Sequence, residues 1–164
     1  MSSYDAETIN SKNPLARYAH RNRIERSIEL VKPRLKLGKI LDYGCGPGVF
    51  VAQMLALEAD SAVGYEPFME ERTRMTLPIY ETLDEVKKRG PYETVTLFET
   101  IEHLSQAELD GFLGFCKDVM SDNTALIVSA PIERWGVEVL SYGPFPLGTW
   151  YGNSQVYLMA KRPV

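Results

Sequence analysis

The sequence predicts an α/β chain with a mostly parallel sheet and helices on both faces. Three observations carry this. Apolar or β-branched runs alternate with helical stripes from residue 40 to 130, the pattern of strand–helix–strand units. The first strand runs straight into a glycine-rich turn, Gly44-Cys45-Gly46-Pro47-Gly48. The length of 164 residues, with 45% hydrophobic and 24% charged side chains, suits one folded domain and not a disordered chain.

The elements follow in order. Residues 1–13 are polar and read as a flexible tail. Pro14 opens a helix, since its missing N–H costs nothing in a first turn. Leu15, Ala19, Ile24, Ile28 and Val31 give that helix an apolar stripe over 14–32, and Pro33 ends it. The helical region 14–35 is thus set apart from a core at 36–164.

Residues 39–43 form a strand, and Val49, Phe50, Ala52, Met54, Leu55 and Leu57 mark the helix behind the glycines. Residues 61–66 are a second strand, stopped by Pro67, with a polar helix near 68–75. Residues 77–80 are a weak third strand, edge-like because of Pro78. A short helix runs from 83 to 89 and stops at Gly90. Residues 92–98 are β-branched and aromatic, a clear strand. Ser105 with Glu108 three residues on is a capping box. Leu109, Phe112, Leu113, Cys116 and Val119 keep helical spacing behind it. Residues 124–130 are a buried strand, 132–141 a helix, and Tyr157 to Met159 a last strand. Gly152-Asn153 turns a hairpin, spanning 145–161, into that strand.

Composition narrows the setting. Cys45 and Cys116 are the only cysteines. They make no disulfide framework and have no metal-ligand spacing, which points to a reducing, cytoplasmic setting. There is no apolar run of membrane-spanning length, nor a secretory leader. Net charge is -4, but residues 12–39 carry nine bases against two acids. That stretch suits either a solvated helix face or a docking face for an anionic partner such as phosphate, nucleic acid or an acidic carrier.

A glycine turn between a strand and a helix lets the backbone approach a ligand closely, at the positive end of the helix dipole. The spacing 44, 46, 48 is not the G-x-G-x-x-G of dinucleotide binding, which disfavours a nicotinamide oxidoreductase. Nor is it a Walker loop, as no Gly-Lys-Ser/Thr follows. Glu66 ends the second strand, eighteen residues past Gly48. A carboxylate there can accept hydrogen bonds from both hydroxyls of a ribose.

The run K-I-L-D-Y-G-C-G-P-G followed by A-V-G-Y-E-P resembles the class I S-adenosylmethionine-dependent methyltransferases. L-F-E-T-I-E-H-L resembles their fourth-strand segment and A-L-I-V-S-A-P their fifth strand, a likeness covering residues 36–131. The resemblance implies a Rossmann-like sheet of seven strands, the last antiparallel. It implies that Asp42, Gly44, Cys45, Gly46 and Gly48 line the methionine part of S-adenosyl-L-methionine. Glu66 would then hold the ribose and Glu99 would close the sulfonium side. Many relatives carry an aspartate for the adenine amino group after the third strand; here only Glu81 or Thr82 stands near that place. Little chain follows the fifth strand to cover a substrate. Either the N-terminal helix covers the pocket or the site is open to a large acceptor.

Methyl transfer needs positioning, plus a base where the acceptor arrives protonated. His103 is the candidate base. Glu99, Glu102 and His103 together are alternatively a divalent-metal set, or His103 merely packs beside the cofactor. The expected activity is methyl transfer to an O, N or C acceptor on a small or carrier-bound substrate. The alternative is a non-catalytic module of the same fold that binds a partner protein.

Overall fold

The computed structural model describes residues 38–57, Ala59, 61–68 and 77–131, and the backbone of Gln155–Ala160. It also describes Pro14, Ile24, Glu25, Ser27, Ile28, Glu29, Val31 and Lys32 of an N-terminal helical segment. The described elements run β1 (Lys39–Tyr43), α1 (Val49–Ala56), β2 (Ser61–Tyr65), β3 (Ile79–Tyr80), α2 (Leu83–Lys87), β4 (Tyr92–Phe98), a 3-10 turn (Ile101–His103), α3 (Gln106–Val119), β5 (Met120–Pro131) and β6 (Gln155–Ala160).

One sheet holds six described strands in the order β3-β2-β1-β4-β5-β6. All neighbours pair in parallel except β5 and β6, where Val128 opposes Leu158 in an antiparallel ladder. This is the predicted mostly parallel sheet with an antiparallel last strand. The expected seventh strand, and the readings of a helix at 132–141, a hairpin turn at Gly152-Asn153 and a helix near 68–75, fall outside the described residues.

Side chains alternate across the strands and feed two cores. On one face Leu41, Tyr43, Val63, Val95, Leu97, Leu126 and Val128 pack with Val86 of α2 and with Phe112, Phe115, Cys116 and Val119 of α3. On the other, Ile40, Ala62, Ile79 and Ile127 pack with Phe50, Val51 and Met54 of α1 and with Val31. Helices therefore cover both faces. Each fully buried Leu, Ile or Val contributes about 1.5–3 kcal/mol.

Several boundaries move. The third strand shrinks to Ile79–Tyr80. Pro78 has no N–H for the ladder, although its carbonyl still accepts from the Gly64 amide at 3.0 Å. Helix α2 ends at Lys87, two residues before Arg89. Strand β5 starts at Met120, not Thr124, because its pairing shifts opposite Tyr92 and Thr94. Thr124 closes that irregularity: its hydroxyl donates to the Tyr92 carbonyl at 2.5 Å and accepts from the Ser121 amide at 2.8 Å. The capping box of α3 is present, with Ser105 and Glu108 bonded reciprocally. Those bonds hold the Glu108 carboxyl below the usual carboxylate range.

Candidate functional site

Strands β1 and β4 are neighbours, yet the chain leaves them in opposite directions, toward β2 and toward β5. Their carboxyl ends therefore bound a crevice, the usual ligand position in such sheets. The glycine loop forms one wall. The amides of Gly44 and Cys45 both donate to the Tyr65 carbonyl, at 2.8 and 3.1 Å, so the loop hangs from the end of β2. Gly44, Gly46 and Gly48 have φ of 75°, 50° and 76°, a region that favours glycine. A Cβ at Gly44 would run into Thr100, and one at Gly48 into Ile79 and Leu77. Gly48 is the N-cap of α1 and supplies no side-chain cap.

Glu66 lies beside this loop and is 9% exposed. Its Oε2 accepts from the Gly46 amide and its Oε1 from the Phe68 amide, both at 3.1 Å. Its own amide donates to the Tyr80 carbonyl at 3.0 Å. The carboxylate is thus oriented by backbone on two sides, and each oxygen keeps a second lone pair.

Asp42 points to the same sheet face as Ile40 and is 4% exposed. The Thr96 hydroxyl, on β4, donates to its Oδ1 at 2.8 Å and lies 3.2 Å from the Leu41 carbonyl. The Cys45 side chain packs over Gly64. Burial pushes the Cys45 thiol up strongly, and the carboxylates of Asp42 and Glu66 push it further. The thiol therefore stays neutral and is no nucleophile.

Across the crevice, Glu99 has φ 51°, the one positive value among the described non-glycine residues. Its amide lies 3.2 Å from the Ser129 carbonyl and 3.3 Å from the Ser129 hydroxyl. That hydroxyl donates to Glu99 Oε1 at 2.9 Å. Thr100 then ties the two walls together, its hydroxyl 2.9 Å from the Phe98 carbonyl and 3.3 Å from that of Gly44.

The 3-10 turn follows. The His103 side chain is 40% exposed, and its Nε2 lies 4.0 Å from Oε1 of Glu102, whose side chain is 4% exposed. Glu102 Oε2 has no hydrogen-bond partner among the described residues. Among those residues no three His, Cys, Asp or Glu are grouped to hold a metal ion.

The structure thus gathers Asp42, Gly44, Cys45, Gly46, Gly48, Glu66 and Glu99 around one crevice, with His103 on the turn beyond. Thr82 caps α2, accepting from the Glu85 amide, so its hydroxyl already serves the fold. The basic stretch 12–39 falls largely outside the described residues. Thr96, Thr100 and Ser129 were missed by sequence reasoning. Their signal is a polar residue inside an otherwise apolar strand, or at its end. Among the described residues no helix is long and apolar enough to cross a membrane.

The fold is shared with known proteins. A SAM-dependent methyltransferase from Archaeoglobus fulgidus superposes with a TM-score of 0.56 at 19% identity, over 79% of this chain and 59% of that protein. The StiE O-MT segment gives 0.56 at 17% identity, over 77% of this chain and 51% of its own. The sugar N-methyltransferase KedS8 from Streptoalloteichus gives 0.51 at 18%, over 77% and 53%. The chain therefore spans between about half and three-fifths of each of these neighbours, and the likeness is one of fold. No curated protein matches it in sequence. Residues 15–153 match the methyltransferase domain family, most of the chain, and to that family the chain belongs.

Proposed function

We propose that the crevice binds S-adenosylmethionine and that the chain transfers its methyl group to an O, N or C acceptor on a small or carrier-held substrate. The observation that carries this is the junction of Glu66 with Gly46. It places a backbone-fixed carboxylate against a loop of three left-handed glycines at the switch point of the sheet.

The residues fit the cofactor. The glycine loop, which has no Cβ at three positions, lets the methionine portion lie against backbone. Glu66 has a free lone pair on each oxygen for the two ribose hydroxyls. Asp42, braced by Thr96 and close to Cys45 of the loop, would line the methionine part. Glu99 follows the carboxyl end of β4, and the family resemblance assigns it to the sulfonium side. When bound, this group supplies an electrophilic methyl carbon on a positively charged sulfur. The protein's task is then mostly to orient an acceptor in line, which is worth several kcal/mol. His103, at the rim and half exposed, is suited to take the proton of an O–H or N–H acceptor. The two neighbours described as O- and N-methyltransferases support methyl transfer in general and favour neither atom. The basic stretch 12–39 is proposed as the docking face for an anionic acceptor or carrier.

The test is calorimetric titration of the intact chain with S-adenosylhomocysteine, beside NAD. Binding of the first without the second supports the proposal. Binding of NAD alone contradicts it.

A further inference from the structure

We propose that Thr100 is a positioning residue that couples the glycine loop to the turn Ile101–His103, so that this turn is fixed only when the loop is occupied. The inference rests on the function proposed above and goes beyond it, to the order in which the parts of the site are assembled.

Thr100 is the N-cap residue of the 3-10 turn and is 9% exposed. Its hydroxyl has two carbonyls within reach, that of Phe98 at 2.9 Å and that of Gly44 at 3.3 Å. A hydroxyl has one proton, so only one of these bonds is made at full strength at a time. The first stays within its own segment. The second crosses to the glycine loop, 56 residues earlier in the chain. Gly44 is held from the other side as well, by its amide on the Tyr65 carbonyl at 2.8 Å. It has no room for a Cβ because the Thr100 side chain fills that space. The main chain of Thr100 carries the link onward. Its carbonyl accepts from the His103 amide at 2.9 Å, and the Ile101 carbonyl accepts from the Leu104 amide at 3.2 Å. One residue therefore joins the loop to the bonds that close the turn.

The turn is finely balanced. Ile101 and Leu104 pack against the core that α3 shares, which holds it in place. Glu102 opposes them. Its side chain is 4% exposed, and its Oε2 has no hydrogen-bond partner among the described residues. A buried carboxylate oxygen without a partner costs free energy that opening the turn to water would recover. An element balanced in this way responds to a single hydrogen bond. A ligand seated on the loop fixes the Gly44 carbonyl, the Thr100 hydroxyl settles on it, and the turn closes. Coupling of this kind is reciprocal, so the same bond raises the affinity of the loop for its ligand.

The experiment follows amide hydrogen exchange in the intact chain, with and without saturating S-adenosylhomocysteine, for the parent, Thr100→Val and Thr100→Ser. In the parent the ligand is expected to slow exchange at the His103 and Leu104 amides as well as at Gly44, Cys45 and Gly46. Thr100→Val keeps the shape and removes the hydroxyl. There the loop amides are expected to slow while the two turn amides do not, and the ligand to bind about fivefold more weakly, the weight of one hydrogen bond. Thr100→Ser, which keeps the hydroxyl, is expected to restore both effects. Equal slowing of the turn amides in Thr100→Val would show that the hydroxyl carries no coupling and overturn the proposal. Turn amides unmoved by the ligand in the parent would overturn it without any variant, so the test stands even if Thr100→Val fails to fold. If S-adenosylhomocysteine does not bind the parent at all, the reading of the site fails first and this inference with it.

Discussion

The Gly46 amide and the Glu66 carboxylate meet at 3.1 Å, so the loop after β1 and the end of β2 form one hydrogen-bonded unit. The Phe68 amide holds the other carboxylate oxygen at the same distance. The carboxylate proposed to face the ligand is thus also a structural tie between two strand ends.

That double role has a measurable cost. Glu66→Gln keeps the size but turns one acceptor oxygen into an NH2 group, which cannot accept from a backbone N–H. One of the two part-buried amide bonds is lost. The variant is expected to lose about 1–3 kcal/mol of stability. Urea unfolding of both proteins checks it; identical midpoints would mean that the tie contributes nothing.

Gly64 owes its identity to Cys45. A Cβ at Gly64 would collide with the Cys45 sulfur and crowd Ile79. Gly64→Ala is expected to destabilise by about 1–3 kcal/mol through overpacking. Adding Cys45→Ala removes the colliding sulfur and is expected to recover a large part of the loss. Chemical unfolding of the two single variants and the double variant measures the coupling. Simple additivity would contradict the packing seen here.

Stability is expected to fall on the alkaline side. Burial pushes the Cys116 thiol from 9.0 to about 12 and the Tyr43 hydroxyl from 10.0 to about 12. Cys45, Tyr65 and Tyr92 are raised too, each chiefly by burial. All of these are neutral when protonated, and their folded values lie above the unfolded ones. Their contribution is therefore complete below about pH 9 and is lost as pH climbs toward 12. Tyr43→Phe removes one of these groups, so its stability should decline less steeply above pH 10. Unfolding free energies from pH 7 to 11 test this; parallel curves for parent and variant would contradict it.

The parts of this fold that were legible in the sequence are those written in local chemistry. Three glycines at alternate positions mark a backbone that must enter the left-handed region, and Gly44, Gly46 and Gly48 all do. Ser105 and Glu108 carry their capping box in their spacing. Glu66 was legible because chain order alone puts the residue after a second parallel strand beside the first turn. What was not legible is tertiary. Nothing local tells that Ser129 meets Glu99, thirty residues earlier in the chain, or that Thr96 reaches across to Asp42. The early start of β5 was hidden because residues 121–123, Ser-Asp-Asn, are polar; their place in the strand depends on Thr124 bonding to Tyr92. The weak third strand kept only Ile79 and Tyr80, since Pro78 cannot donate to a ladder.

Glu66 and the glycine loop are together proposed to hold an adenosyl cofactor. The most direct test is calorimetric titration of S-adenosylhomocysteine into the intact chain and into Glu66→Ala. Micromolar binding to the parent is expected, with at least about tenfold weaker binding to the variant, since the ribose hydroxyls would lose their acceptor. Absence of binding to the parent, or equal affinity in both, would contradict it, and no binding at all would favour a methyltransferase-fold module that recognises a partner protein.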